Sequence, residues 1–341
     1  MILPSLFCNG FLLRALVCAF VLLNSATPLT AAGQSTPSAS PDRSLSPSQK
    51  SMSPESAAKP HPQRIAVLDW TIAETMAGMG IFPAALAEKD SYQVWSKEPA
   101  MPSATLDLGM RAQPNPDRMI RLAPDMILAS QDYAFVKDLL GKIGPVTLVD
   151  VYTPGQDIYE NLSQVATRIG DITGYPEKAQ AYISRVEQGL QEIHKKLAAH
   201  QNQPVAVIQF IDARNVRIYG KPSIFSTALE KIGVRNAWTQ TVNQWGFQSA
   251  DLTHLAALPA DTTLFIIKPY PADLPARLHN NVIWHALPAV RNNRIVLVDP
   301  IWTLGGLGTV LRFAESVSNG LLAQDKAGAG NTAFRFPGQN Q

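Results

Sequence analysis

The residues of this chain best suited to holding another molecule are one arginine and a set of large aromatics. Arg111 lies in "YQVWSKEPAMPSATLDLGMRAQPN", residues 92–115, a stretch rich in turn formers that also carries Trp95. Trp70, Trp245 in "NQWGFQ", Trp302 in "DPIWTLGG" and Tyr133 in "SQDYAF" stand in similar surroundings, at strand exits or in loops. A guanidinium presents its N–H donors as a rigid fork and suits oxygen atoms that carry negative charge. Each aromatic ring contributes on the order of 1.5–3 kcal/mol when its apolar surface leaves water. For any single tryptophan an ordinary place in the core is the competing reading, but comparable loop positions in both halves of the chain favour a lined cleft. For Arg111 the competing reading is an ion pair with Asp107 or Asp117.

Covalent chemistry has little to work with. There is no GxSxG, Walker A or GxGxxG, and "YGKPS" and "GGLG" lack the flanking order that gives glycine motifs a mechanism. The six histidines, His61, His194, His200, His254, His279 and His285, are not spaced as metal ligands, and both cysteines, Cys8 and Cys18, fall within the first 32 residues. A protein-ligated metal, a resident cofactor and an enzymatic activity are therefore not expected.

The elements that must position the aromatic set alternate between short apolar strands and amphipathic helices. "RIAVLDW" is a predicted strand, followed by a helix to Gly80 with Thr71 and Glu74 at capping-box spacing. "DRMIRLAPDMILAS" reads as helix, Pro124 joint and buried strand, and "PVTLVDV" as a further strand. After residue 200 the pattern returns in "PVAVIQFID", "FSTALEKIGVRNA", "SADLTHLAALPADTTLFII" and "NNRIVLVD". Between the halves, residues 176–200 begin with Pro176 at the first helical position. They place Ala179, Tyr182, Ile183, Val186, Leu190, Ile193 and Leu197 on one helix face. The expected fold is α/β: two lobes with mainly parallel sheets, residues 63–175 and 201–323, joined by the long helix 176–200, with the cleft between them.

Composition sets the outer limits. The chain has 341 residues, 46% of them hydrophobic, and a formal charge of +2 without a Lys/Arg stripe, so it can build a large core and has no footprint for nucleic acid. Residues 1–32 carry one ionisable side chain, Arg14, then "ALVCAFVLL", then "LTAA". That is the order of a secretory signal peptide, cleaved after Ala32; an uncleaved anchor is the alternative, although the apolar run is short of the ~20 residues a span needs. Residues 33–62, rich in Ser, Pro and Ala, read as a disordered spacer, and 324–341 as a flexible tail.

From Arg64 to about Leu322 the sequence resembles the periplasmic ferric-hydroxamate (ferrichrome) siderophore-binding proteins of ABC importers, a class III substrate-binding family. The resemblance is carried by "RIAVLDWTIAETMAGMGIFPAALAE", the W-x-x-E-P and D-x-G-x-R block of residues 95–111, "RIYGKPSIFSTALEKIGVRNAW", "NQWG" and "WHALPAVRNNRI". It implies lobes held rigidly by one helix and an Fe(III)-hydroxamate ligand, so that iron enters only inside its chelator. It further implies Arg111 reaching the chelating oxygens, Tyr133 beside it, and Trp70, Trp95, Trp245 and Trp302 as the aromatic wall. Leu304 stands where the family has a tyrosine, and Phe247 where it has a serine after "WG", which implies one hydrogen-bonding group fewer in the second lobe. The implied partner is an inner-membrane ABC permease with its ATPase, reached through Asp117 and Asp251, one on each lobe. Their competing role is that of charges at helix N-termini. A monomer in the periplasm of a Gram-negative bacterium is expected. The alternatives are a carrier of haem, cobalamin or another iron chelate on the same fold, or an exported siderophore-processing enzyme.

Overall fold

A computed structural model of the chain describes residues 62–327 and Phe336. The expected signal peptide, the spacer up to His61 and most of the expected tail lie outside the described residues.

The first lobe is a parallel sheet with strands β1 (Ile65–Val67), β2 (Ala85–Leu86), β3 (Leu106–Asp107), β4 (Met126–Ser130) and β5 (Val146–Val149) in the order β3-β2-β1-β4-β5. Helices α1 (Trp70–Gly78), α2 (Lys89–Trp95) and α3 (Pro116–Leu122) connect the first four strands. A 3-10 turn, Gln131–Val136, and the short α4 (Lys137–Leu140) lead to β5. The β1 residues are all buried, as expected of a parallel strand covered on both faces. The strand order reverses between β1 and β4, which opens a crevice at their carboxyl ends.

The start of α1 corrects the expected capping box. Asp69, not Thr71, is the cap, its carboxylate accepting from the backbone N–H groups of Thr71 at 2.8 Å and Ile72 at 3.2 Å. Thr71 is already helical, and Glu74 is buried and turned into the interior.

After β5 come α5 (Ile158–Thr173) and α6 (Pro176–Lys196). Asp157 caps α5, and Gly174, at φ 81°, supplies the left-handed residue that ends it. Pro176 occupies the first position of α6 as predicted, and Ala179, Tyr182, Val186, Leu190 and Ile193 are its buried stripe; Ile183 is only half-buried. The α-helix stops at Lys196 and finishes in a 3-10 turn, Ala198–His200, on the buried Leu197.

The second lobe contains β6 (Pro204–Phe210), β7 (Asn215–Tyr219), α7 (Ile224–Lys231), β8 (Arg235–Asn236), β9 (Phe247–Asp251), α8 (Leu252–Leu255) and β10 (Thr263–Ile267). Helices α9 (Leu274–His279), α10 (Val282–Ala286) and α11 (Pro288–Arg291), strand β11 (Ile295–Val298) and α12 (Leu307–Ala327) complete it. Its sheet runs β11-β10-β6-β7-β9 with β8 on β6, and it is mixed: β7 is antiparallel to both neighbours. The cause is local. Asp212 accepts from the backbone N–H groups of Arg214 and Asn215, closing a tight turn after β6, and a short turn can join only antiparallel strands. In "SADLTHLAAL" the first three residues finish β9 and the helix is a single turn.

The second lobe also extends past its expected end at 323, because α12 continues to Ala327. Phe336, within the expected tail, is buried edge-on against Tyr270 at 5.3 Å.

The two sheets share one hydrophobic core. It runs from Ile65, Val67 and Leu128 in the first sheet through α1, α5, α6 and α12 to Val205, Val207 and Phe265 in the second. Smaller clusters cover the outer face of each sheet. Among the described residues no helix is long and apolar enough to cross a membrane.

Candidate binding cleft

Every group that the first lobe brings to the crevice follows a strand of the parallel sheet. Asp69 and Trp70 follow β1, Glu88 follows β2, Arg111 follows β3, Tyr133 follows β4, and Asp150 and Tyr152 follow β5. The second lobe answers with Trp245, Trp302 and Leu304. All of these except Trp70 and Glu88 border a hollow of about 120 Å3. That is below the roughly 300–1,000 Å3 of a site that engulfs a small ligand, so the hollow is a contact floor beneath an open mouth.

Arg111 is fixed from two sides. Glu88 accepts from its Nε at 2.8 Å and from its backbone N–H at 3.2 Å. The guanidinium carbon lies 4.1 Å above the Trp70 ring and 5.7 Å from that of Trp302. Trp70 is itself buried, donates from Nε1 to the Ala87 carbonyl at 2.9 Å, and meets Trp302 at 4.8 Å in a tilted edge contact. With Nε taken by Glu88, the two Nη groups remain to donate elsewhere. The ion-pair partners considered from sequence are both displaced: the Asp107 carboxylate accepts from the Gly109 N–H, and Asp117 is exposed in the first turn of α3.

Electrostatics around the cation are mixed. Burial raises the Asp69 pKa against the opposing pull of its backbone hydrogen bonds and of Arg111. Burial pushes Tyr133 up to about 12, although Arg111 pulls the other way, so its hydroxyl keeps its proton at neutral pH. Asp132 and Asp150 also border the hollow, and both are exposed.

The structure thus brings together Arg111, Tyr133, Trp245 and Trp302, with Trp70 as the platform beneath Arg111 rather than part of the lining. Trp95 does not join them: it ends α2, is 39% exposed and does not border the hollow. The place beside Trp70 is occupied instead by Tyr92, fully buried 5.9 Å away, whose hydroxyl donates to the Pro99 carbonyl. Glu88 went unnoticed in the sequence, where nothing marks one acid of "LAEKDS" as the partner of an arginine 23 positions on.

Behind the cleft the segment 302–312 seats the second lobe on the first. The Thr71 hydroxyl donates to the Leu304 carbonyl and the Tyr152 hydroxyl to that of Gly305 at 2.7 Å. Glu74 is 1% exposed; its Oε1 accepts from the Thr309 hydroxyl at 2.5 Å and stands 3.7 Å from Arg312, which also donates to the Ser96 carbonyl. Burial raises the Glu74 pKa, opposed by Arg312 and by the Thr309 hydrogen bond.

A larger hollow of about 830 Å3 opens in the second lobe beside α7 and β8. It holds none of the residues singled out above, and two of its charges, Lys221 and Glu230, neutralise each other. Among the described residues no three His, Cys, Asp or Glu converge as a metal site. Asp117 and Asp251, the expected docking acids, are both exposed at helix N-termini. Asp251 caps α8, and its pKa is lowered first by the Thr253 hydroxyl.

Residues 65–301 match the family model described as Periplasmic binding protein. The chain is 25% identical over 277 residues to the iron(3+)-hydroxamate-binding protein FhuD of Escherichia coli (strain K12), across 81% of this chain and 93% of that protein. It is 33% identical over 129 residues to the Fe(3+) dicitrate-binding periplasmic protein FecB of the same organism, across 37% of this chain and 41% of that protein. Among solved structures, the siderophore-binding protein FhuD from Vibrio cholerae with Fe3+-Desferal bound has a TM-score of 0.71 at 26% identity, covering 76% of this chain and 98% of that one. These relatives are substrate-binding proteins, not enzymes.

Proposed function

The chain belongs to the periplasmic binding protein family, and from that premise we propose that it captures an Fe(III)-hydroxamate siderophore and delivers it to an inner-membrane ABC permease with its ATPase. The observation that carries the reading is Arg111, stacked on Trp70 and held at Nε by Glu88, with Tyr133 and Trp302 beside it. Hydroxamate oxygens bound to iron carry partial negative charge and accept strong hydrogen bonds from such a fork. Iron stays inside its chelator, so the site supplies donors and aromatic surface in place of metal ligands, and no resident cofactor is required. The most extensive curated match named above is to a hydroxamate-binding protein, over 93% of that protein's length.

In this reading the leader directs export to the periplasm of a Gram-negative cell, and the chain works as a monomer. Asp117 and Asp251 meet cationic residues of the permease, one from each lobe. A second reading, a citrate-type iron chelate as cargo, is favoured by the 33% identity to the dicitrate-binding protein over 129 residues.

The test is a tryptophan-fluorescence titration of the chain from Gly33 onward with ferrichrome, ferrioxamine and a ferric catecholate, beside Arg111→Ala. Quenching by the hydroxamates alone, weakened about tenfold or more in the variant, is the expected result. A folded protein that answers to no hydroxamate would overturn the reading.

A further inference from the structure

The second lobe holds a cation that the aromatic set did not reveal. Arg217 lies on β7, where Val216 and Ile218 point into the outer cluster of the second sheet while Tyr219 belongs to the core shared by the lobes. Strand alternation therefore puts Arg217 on the interlobe face with Tyr219. Its guanidinium carbon sits 5.0 Å from the ring centre of Phe247, two residues after Trp245. With Thr303 it flanks the Tyr219 hydroxyl, and Thr303 stands between Trp302 and Leu304. Two of these neighbours, Phe247 and Thr303, thus lie within two residues of groups that line the hollow, although Arg217 does not border the hollow itself.

Arg217 also differs from Arg111 in its charge balance. Glu88 pairs with Arg111, whereas no carboxylate among the described residues lies within ion-pair distance of Arg217, which is half-buried. An arginine stacked on an aromatic face keeps its N–H edge available for oxygen acceptors.

We propose that Arg217 is a specificity-determining residue of the cleft, donating to the chelate from the wall opposite Arg111 and favouring iron chelates that carry a carboxylate on that side. The proposal rests on the siderophore-binding reading above and deepens it. Phe247 acts as the platform for Arg217, as Trp70 does for Arg111. The preferred cargo is then a mixed hydroxamate–carboxylate chelate with net negative charge, ahead of a neutral trihydroxamate.

The test measures dissociation constants of wild type, Arg217→Met and Arg217→Lys for three chelates: neutral ferrichrome, cationic ferrioxamine B and an anionic ferric citrate-centred dihydroxamate. Thermal melts confirm that each variant folds. Arg217→Met is expected to weaken the anionic chelate about tenfold or more while leaving ferrichrome within about threefold, and Arg217→Lys to recover part of the loss. Equal weakening of all three chelates, or no change in any, would overturn the assignment while leaving the cargo class standing. A wild type that binds none of the three would instead overturn the siderophore reading.

Discussion

Arg111 is held by Glu88, a residue from a different strand exit. Without the Glu88 carboxylate the guanidinium keeps its place above Trp70 but loses the bond that sets its rotation. Glu88→Ala is therefore expected to weaken ferrichrome binding about tenfold, since a charge-assisted hydrogen bond is worth about 1.5–3 kcal/mol. Glu88→Gln, which still offers an oxygen to Nε, should retain most of the affinity. A fluorescence titration checks both, and wild-type affinity in the alanine variant would show that Trp70 alone orients the arginine.

The contrast between Arg111 and Glu88 also shows how far the sequence could be read at this scale. Arg111, Tyr133 and Trp302 were legible because large or charged groups in turn-rich segments follow strands, and strand exits converge in an α/β lobe, whereas Trp245, just before β9, was marked by its turn-rich surroundings alone. Glu88, Arg217 and the true place of Trp95 were not legible. Each depends on which strands become neighbours, and β2 and β3 meet through two short pairings with no periodic signature.

At the scale of elements, α5 and α6 form a hairpin whose closeness depends on one missing side chain. A Cβ on Gly170 would stand 2.5 Å from that of Ala179 on α6 and 3.2 Å from the carbonyl oxygen of Tyr175, the residue that precedes α6. Gly170→Ala gains up to ~1 kcal/mol in helix propensity but overpacks the contact by about 1–3 kcal/mol. The expected outcome is net destabilisation by chemical denaturation, and a stabilised variant would show that the hairpin can open without loss.

Glu74 ties α1 to α12 and gives that junction a pH dependence. The charged and titratable groups acting on it are Arg312 on α12, Tyr182 on α6, Tyr92 on α2 and Tyr152 after β5. Burial outweighs them and raises its pKa above the ordinary 4.5. The native state then holds a proton that the unfolded chain has released, so this contribution to stability is complete below the unfolded value and is lost as pH rises through the folded one. Since Glu74→Gln cannot titrate, the Tm of wild type minus that of the variant should fall as the pH is raised above the ordinary 4.5 of a glutamate. A difference that grows with pH would mean that the ionised pair with Arg312 dominates.

The helix α6 was readable because its stripe of apolar residues and its leading proline are local features. The Glu74–Thr309 bond was not, because its partners are 235 positions apart and the acid sits where a capping box would place it. Asp69 won the cap because its carboxylate reaches two N–H groups of the first turn from outside the helix, whereas Thr71 is already inside it. The antiparallel β7 escaped the sequence reading for a related reason: four turn residues, closed by Asp212, decided its direction.

At the scale of the whole molecule, one core serves both sheets, and α1 of the first lobe and α12 of the second pack into it together with α5 and α6. Cooperative units follow contiguous cores, so residues 62–327 should melt in a single calorimetric transition whose van't Hoff and calorimetric enthalpies agree. Two resolved transitions would show that the lobes fold independently. The same packing should keep the radius of gyration from small-angle scattering unchanged within error when ferrichrome is added.

That shared core bears on how a loaded copy makes itself known. A receptor that shuts like a shell around its cargo can report its state through its outline, and a membrane partner need only read the posture. Here the Thr71, Tyr152 and Glu74 contacts and the common core already fasten the two halves together. Under the proposed function, the news of occupancy is then expected at the mouth itself, carried by the chelate's exposed face and the side chains around it.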